Sequence, residues 1–263
     1  MKHNQMLNHV NQMLCTEVLW QPLAHAGTTN HLYQGAYQGQ EVVLRQNTDK
    51  VIMGVCRERE KSVLNLIRTC CWAPTILHLK MPDASQPGWL LMRRYSELIV
   101  VDKAGFNAEL LASIAEWQQI KAAPLFNYSA LWDEYQHIID VMTDARVLQV
   151  TLDSVRQTMQ DLVQGMPQVQ NCLVHHDLHP GNLLSSEGQV IVIDWEYAGH
   201  GTPWLDAAAL ITEFSLPLQD VAALPAFRDI DLTMFQAGLR KAQQINQQLN
   251  WLWYELIGNH RDN

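Results

Sequence analysis

The sequence predicts an α+β chain in two unequal parts, a small β-rich N-terminal lobe and a larger helical lobe behind it. Three observations carry this. Residues 17–46, EVLWQPLAHAGTTNHLYQGAYQGQEVVLRQ, are rich in aromatic and β-branched residues and are punctuated by Gly27, Gly35 and Gly39, the pattern of short strands joined by turns. From residue 105 onward, apolar residues recur at helical spacing. Inside that helical region lies an insertion, CLVHHDLHPGNLLSSEGQVIVIDWEYAG, with charged and polar residues gathered at the ends of apolar runs.

Element by element, Leu7, Val10, Met13 and Leu14 give a short amphipathic helix at the start. A strand follows before Gly27, a second runs from Asn30 to Tyr37, QGQ makes a turn, and a third runs from Glu41 to Gln46. GVCREREKSVLNLIRTC places Val55, Val63, Leu64, Leu66 and Ile67 in a helix of four turns. TILHL and GWLLMRRY are further strands, separated by the turn-rich MPDASQPG. The periodicity then predicts helices over 105–122, 129–146 and 151–165, the strand CLVH, and a hairpin NLLSSEGQVIVID turning at SEG. The tail, with Trp251, Trp253 and Tyr254, is helical again, and the Gln-rich KAQQINQQLN is a solvated helix face. The boundary between the lobes falls at residues 95 and 96.

A chain of 263 residues with only 17% charged residues reads as a globular enzyme rather than a disordered chain. The net charge of -9, without a Lys/Arg run, argues against nucleic acid and fits a cationic small substrate. Five cysteines without a C-x-x-C pair indicate neither a disulfide framework nor a zinc knuckle. The first residues lack the apolar run of a signal peptide, and no window is apolar enough to span a membrane. The expectation is a cytoplasmic protein with no membrane and no protein partner.

The site chemistry centres on HHDLHPGNLL and VIVIDWEYAG. Asp177 and Asn182 are held on a turn by Pro180 and Gly181, and Asp194 ends an apolar strand after the hairpin. Two acids at the ends of adjacent strands would converge, as phosphoryl transfer requires: one carboxylate orients the attacking hydroxyl, while another and an amide oxygen hold magnesium. A zinc site built from HHDLH is the rival, but it leaves Asn182 and Asp194 without a part.

These two segments resemble those of the aminoglycoside phosphotransferase / choline kinase family, small-molecule kinases with a protein-kinase-like two-lobed fold. The resemblance implies Asp177 as catalytic base, Asn182 and Asp194 as magnesium ligands, His175 as a structural member of the loop and Asp206 as its support. It further implies that AGTTNHLYQG covers the nucleotide, through Gly27, Thr28, Thr29 and Asn30. Arg45 stands where the family commonly has a phosphate-gripping lysine, paired with Glu60 rather than Glu58, and the strand around Met92 reads the adenine edge. ATP and Mg2+ are the implied cofactors, with residues 1–95 binding nucleotide and 96–263 carrying catalysis and the acceptor. Trp195, Glu196, Tyr197, Trp204, Trp251 and Tyr254 form an aromatic and acidic wall for a cationic alcohol, thiamine or choline/ethanolamine. The alternatives are an aminoglycoside or macrolide kinase and a non-catalytic nucleotide-binding pseudokinase.

Overall fold

Strand β3 (Gln40–Gln46) sets the plan of the N-terminal lobe. In the computed structural model, which describes residues 2–23, 30–48, 52–84 and 86–259, it is the middle strand of a five-stranded sheet. The order is β1 (Gln21–Pro22), β2 (His31–Tyr37), β3, β5 (Trp89–Arg93) and β4 (Ile76–Lys80), antiparallel throughout. Both faces are covered, so β3 is buried continuously from Val42 to Gln46. Val42 and Leu44 pack with Met6 and Val10 of α1 (Lys2–Met13) and with Leu14 just after it. Val43 belongs to the other cluster, with Val63, Leu64 and Ile67 of α2 (Arg57–Ile67). Strand alternation puts Arg45 on the face of Val43, toward α2.

Several boundaries differ from expectation. The packed stripe is Met6 and Val10 of α1, continued by Leu14 just after it, and Met13 turns outward. In β1 only Gln21 and Pro22 pair, and Pro22 has no N–H to extend a ladder. The turn QGQ is a two-residue hairpin: Tyr37 pairs with Gln40, and Gln38 and Gly39 both take positive φ, 50° and 79°. Helix α2 is a turn shorter than expected because Val55 lies in the loop before it.

In the second lobe the helices are α3 (Lys103–Trp117), α4 (Tyr128–Asp140) and α5 (Arg146–Gly165). Asp102 caps α3 by accepting from the Ala104 N–H, and Asn127 caps α4 through the Ala130 N–H. The break between α4 and α5 comes before residue 146 rather than after it, with Asp144 in the left-handed region at φ 63°. Strand β6 (Ser96–Glu97) joins β8 (Leu183–Ser186) and β9 (Gln189–Val192) in one sheet, and β8 and β9 form the expected hairpin. β7 (Cys172–Val174) pairs instead with β10 (Gly199–Gly201). Asp177 and Asp194 therefore do not follow neighbouring strands of one sheet, contrary to expectation. The Gly-His-Gly of β10 carries no strand signature that would reveal the exchange.

The C-terminal part is helical: α6 (Trp204–Thr212), α7 (Leu218–Ala222) and α8 (Leu232–Asn259). The packing of α6 on α8 is close enough that a Cβ on Gly238 would stand 2.3 Å from the Trp204 ring. The larger apolar cluster is continuous from α2, through Trp72, Trp117 and Trp195, into α5, α6 and α8. No helix among the described residues is long and apolar enough to cross a membrane.

Candidate active site

The 175–182 turn is held from below by one carboxylate. Asp206, in the first turn of α6 and buried, accepts the His175 N–H at 2.9 Å and the His176 N–H at 3.0 Å. These bonds hold His176 in a left-handed conformation, φ 66°. Burial pushes the Asp206 carboxyl up to about 7, against the pull of the two N–H donors.

His175 is fully buried and joins the two acidic segments. Its Nδ1 accepts the Asp177 N–H at 3.3 Å, so Nε2 carries the proton and donates to the Ile193 carbonyl at 2.9 Å. The ring thus spaces Asp177 from the residue before Asp194. Burial lowers its pKa to about 4. With both nitrogens committed, it is not available to a metal, and the zinc reading of HHDLH loses its central ligand.

Asn182 makes the second link. Its Nδ2 donates to the Asp177 main-chain oxygen at 2.8 Å and to Asp177 Oδ2 at 3.0 Å, while the Asn182 main-chain carbonyl accepts the Ile193 N–H at 2.9 Å. The amide nitrogen is spent on Asp177, which leaves Oδ1 as the free end of the side chain. Asp177 is half-exposed, and its pKa is raised by desolvation.

Asp194 follows β9 in the left-handed region, φ 65°, with its side chain one-third exposed. Its Oδ1 lies 3.2 Å from Arg45 Nη1, and Arg45 Nη2 lies 2.5 Å from Glu60 Oε1. The register of α2 thus turns Glu60 inward against Arg45 and leaves Glu58 exposed. Burial alone would lower the Arg45 pKa, but Glu60, Asp194 and Glu196 together raise it. Desolvation, then Glu196, pushes Asp194 up to about 7 despite Arg45. The site therefore holds surplus negative charge around a hard oxygen donor. Asp194 and the free oxygen of Asn182 suit Mg2+, which takes one or two protein oxygens and leaves its other positions to phosphate and water.

Other expected residues fall elsewhere. Gly27, Thr28 and Thr29 lie outside the described residues. Asn30 is buried, and its Nδ2 donates to Glu196 Oε2 at 3.1 Å. Glu196 is not part of an acceptor wall: it is buried and points at Asn30, Arg57 and Arg45. Trp195 and Trp204 are corrections too, each 1% exposed. Trp195 packs against Trp72, Trp117 and His175, its Nε1 bonded to the Val192 carbonyl, and Trp204 packs between Phe227 and Phe235. An aromatic buried on all sides in core cannot face a ligand. Met92 pairs with Val43 on one side and Ile76 on the other, so both edges of its backbone are flanked by strands; the chain leaves the sheet only after Arg93. Tyr197 is half-buried, and burial raises the pKa of its hydroxyl. Trp251 is 38% and Tyr254 68% exposed on α8.

Sequence reasoning missed Arg57, which contacts Glu60 and Glu196, each at 2.8 Å. The signal was its place three residues before Glu60 in RERE. It also missed the Tyr128 hydroxyl, 2.7 Å from His176 Nε2. A cavity of about 730 Å³ adjoins the turn, lined by Leu98, Val100, Phe106, Pro180, Gly181 and Leu184 among others.

A carboxylate on a tethered turn, an amide oxygen, and a second carboxylate bridged to a buried Arg–Glu pair make up the candidate site. The profile of the phosphotransferase enzyme family matches residues 26–244, and the chain belongs to that family. It is a small-molecule phosphotransferase. No curated protein sequence matches the chain significantly. Among solved structures it is similar to choline kinase LicA from Streptococcus pneumoniae, at 17% identity and TM-score 0.63, covering 100% of this chain and 99% of that one. It is similar to an ethanolamine kinase from Plasmodium vivax, at 15% identity and TM-score 0.64, covering 91% and 76%. A thermostable mutant of the aminoglycoside phosphotransferase APH(4)-Ia, in ternary complex with AMP-PNP and hygromycin B, matches at 17% identity and TM-score 0.62, covering 97% of this chain and 92% of that one. At these identities the likeness is one of fold.

Proposed function

We propose that the enzyme acts in the cytoplasm, transferring the γ-phosphoryl group of ATP to the hydroxyl of a small cationic alcohol, thiamine or choline/ethanolamine, with Mg2+ as cofactor. The observation that carries this is the Arg45 bridge from Glu60 to Asp194, 2.5 and 3.2 Å long. It fixes a cation from the sheet beside a carboxylate from the helical lobe, where a triphosphate would need both. We divide the work between residues 1–95, which bind nucleotide, and 96–263, which carry the chemistry. In this reading the base and ribose lie toward the cavity between Leu98 and Leu184, in place of the backbone of Met92.

The chain's own residues do mostly positional work. Arg45 holds phosphate oxygens, and Glu60 keeps its guanidinium aimed. Asn182 donates to one oxygen of Asp177, leaving Oδ1 to accept the hydrogen of the acceptor hydroxyl. The hydroxyl oxygen attacks the γ-phosphorus, the bond to the β–γ bridging oxygen breaks, and Asp177 takes the proton. Asp194 and Asn182 would hold the magnesium, whose contribution is to neutralise phosphate charge. The cationic acceptor is supported by the anionic balance of the chain and by Tyr197, half-buried three residues after Asp194. The choline and ethanolamine kinases among the similar structures support it too. The test is turnover of radiolabelled ATP against a panel of alcohols. Phosphorylation of thiamine, choline or ethanolamine is expected, and turnover confined to an aminoglycoside would replace the cationic alcohol with the antibiotic.

A further inference from the structure

Arg57 has no part in the proposed mechanism, yet it stands at its centre. Its side chain is 13% exposed and touches Glu60 Oε2 at 2.8 Å, Glu196 Oε2 at 2.8 Å and Asn30 Oδ1 at 3.2 Å. Asn30 closes the triangle by donating to the same Glu196 oxygen at 3.1 Å. The oxygens of Glu60 are divided, Oε1 to Arg45 and Oε2 to Arg57. Glu196 lies 3.7 Å from Arg45, only slightly farther than Asp194 at 3.2 Å. Without Arg57, a single buried guanidinium would face Glu60, Asp194 and Glu196 together, in surroundings where charge interactions are weakly screened.

We infer that Arg57 is a positioning residue for the phosphate-binding arginine. By neutralising Glu196 and the outer oxygen of Glu60, it leaves Arg45 free to bridge Glu60 and Asp194. Through Asn30 it also fixes the entry to β2 against the segment after Asp194. The inference rests on the proposed ATP site. Anchoring α2 is a separate task with its own residue: Arg59 donates from Nε to the Ala198 carbonyl at 2.9 Å, from Nη2 to the Gly54 carbonyl, and stacks over Phe126. Arg57 is therefore not needed simply to keep the helix in place, and among the described residues its hydrogen bonds and ion pairs are with Glu60, Glu196 and Asn30.

The experiment compares kcat, the KM for ATP and thermal melting in wild type, Arg57→Gln, Arg57→Lys, Glu196→Gln and the double variant Arg57→Gln/Glu196→Gln. Arg57→Gln is expected to raise the KM for ATP about ten-fold or more as Arg45 swings toward Glu196, with a smaller effect on kcat. Arg57→Lys keeps the charge and should recover most of the loss. The double variant removes the unbalanced pair together and should return KM to within about three-fold of wild type, the non-additivity expected of coupled charges. A packing role gives the opposite order, with the double variant at least as impaired as the worse single one. If Arg57→Gln fails to fold, the lysine and double variants carry the same comparison. A KM unchanged in Arg57→Gln, or no recovery in the double variant, overturns the inference while leaving wild-type turnover intact. A wild-type protein that neither binds ATP nor transfers phosphate overturns the proposed function, and this inference falls with it.

Discussion

Removing the Asp206 carboxylate withdraws the support of the whole 175–182 turn. In Asp206→Ala the His175 and His176 N–H groups, bonded at 2.9 and 3.0 Å in the native protein, lose their partner in a buried place. Each unsatisfied donor costs about 1–3 kcal/mol, so the variant should lose about 2–6 kcal/mol of stability. His176 is held at φ 66°, a conformation disfavoured by about 1–2 kcal/mol for a residue with a Cβ, so the freed turn should relax and carry Asp177 with it. Asp206→Asn keeps one acceptor oxygen but sets an NH2 against the other N–H, and should fall between wild type and alanine. The sign of the pH effect follows from the carboxyl being pushed up to about 7. A folded pKa above the unfolded value of about 3.9 means the group's contribution is full below that value and shrinks as pH rises through 7. Wild type should lose stability relative to Asp206→Asn across that window. Urea denaturation from pH 4 to 8 reads both effects. A stability of Asp206→Ala within about 0.5 kcal/mol of wild type, the range of an ordinary surface substitution, would refute the reasoning.

Asp177→Asn should retain the link to Asn182 through its amide oxygen, fold normally, and lower turnover by about two or more orders of magnitude, seen in steady-state kinetics with ATP binding preserved. Asp194→Ala should abolish magnesium-dependent nucleotide binding by calorimetry, since the better of the two oxygen donors is gone. Arg45→Ala should raise the KM for ATP and slow turnover, and Arg45→Lys should restore much of both by replacing the charge without the fork. Gly238→Ala, whose Cβ would stand 2.3 Å from the Trp204 ring, should cost about 1–3 kcal/mol on urea denaturation with little change in KM.

The 175–182 turn and the inward glutamate of α2 were largely legible because their spacing is local. Asp177 and Asn182 share one turn, and Glu60 lies on the stripe with Val63, Leu64 and Ile67, the only helical register that buries a glutamate against β3. The course of residues 195–204 was not legible. Trp195 and Trp204 lie on either side of a segment whose direction depends on β10 pairing with β7, a long-range exchange without a local signature. Once that pairing is made, both indoles point into core, and Glu196 turns to meet Arg57 on α2. The same blindness hid Arg57 itself, because three residues from Glu60 it reads equally well as an exposed helix partner.

The tight turn at Gln38 and Gly39 has a consequence beyond the hairpin it closes. Along β3, Leu44 and Arg45 face opposite sides of the sheet, one toward the apolar cluster of α1 and the other toward Glu60. A slip of one residue in the pairing of β2 with β3 would exchange them, setting a guanidinium among Val10, Leu14 and Trp89 and a leucine against two carboxylates. The two-residue loop, with no slack to absorb such a slip, therefore fixes which side of the sheet carries charge. A turn with no ligand of its own is in this sense part of the proposed phosphate site's address in the sequence.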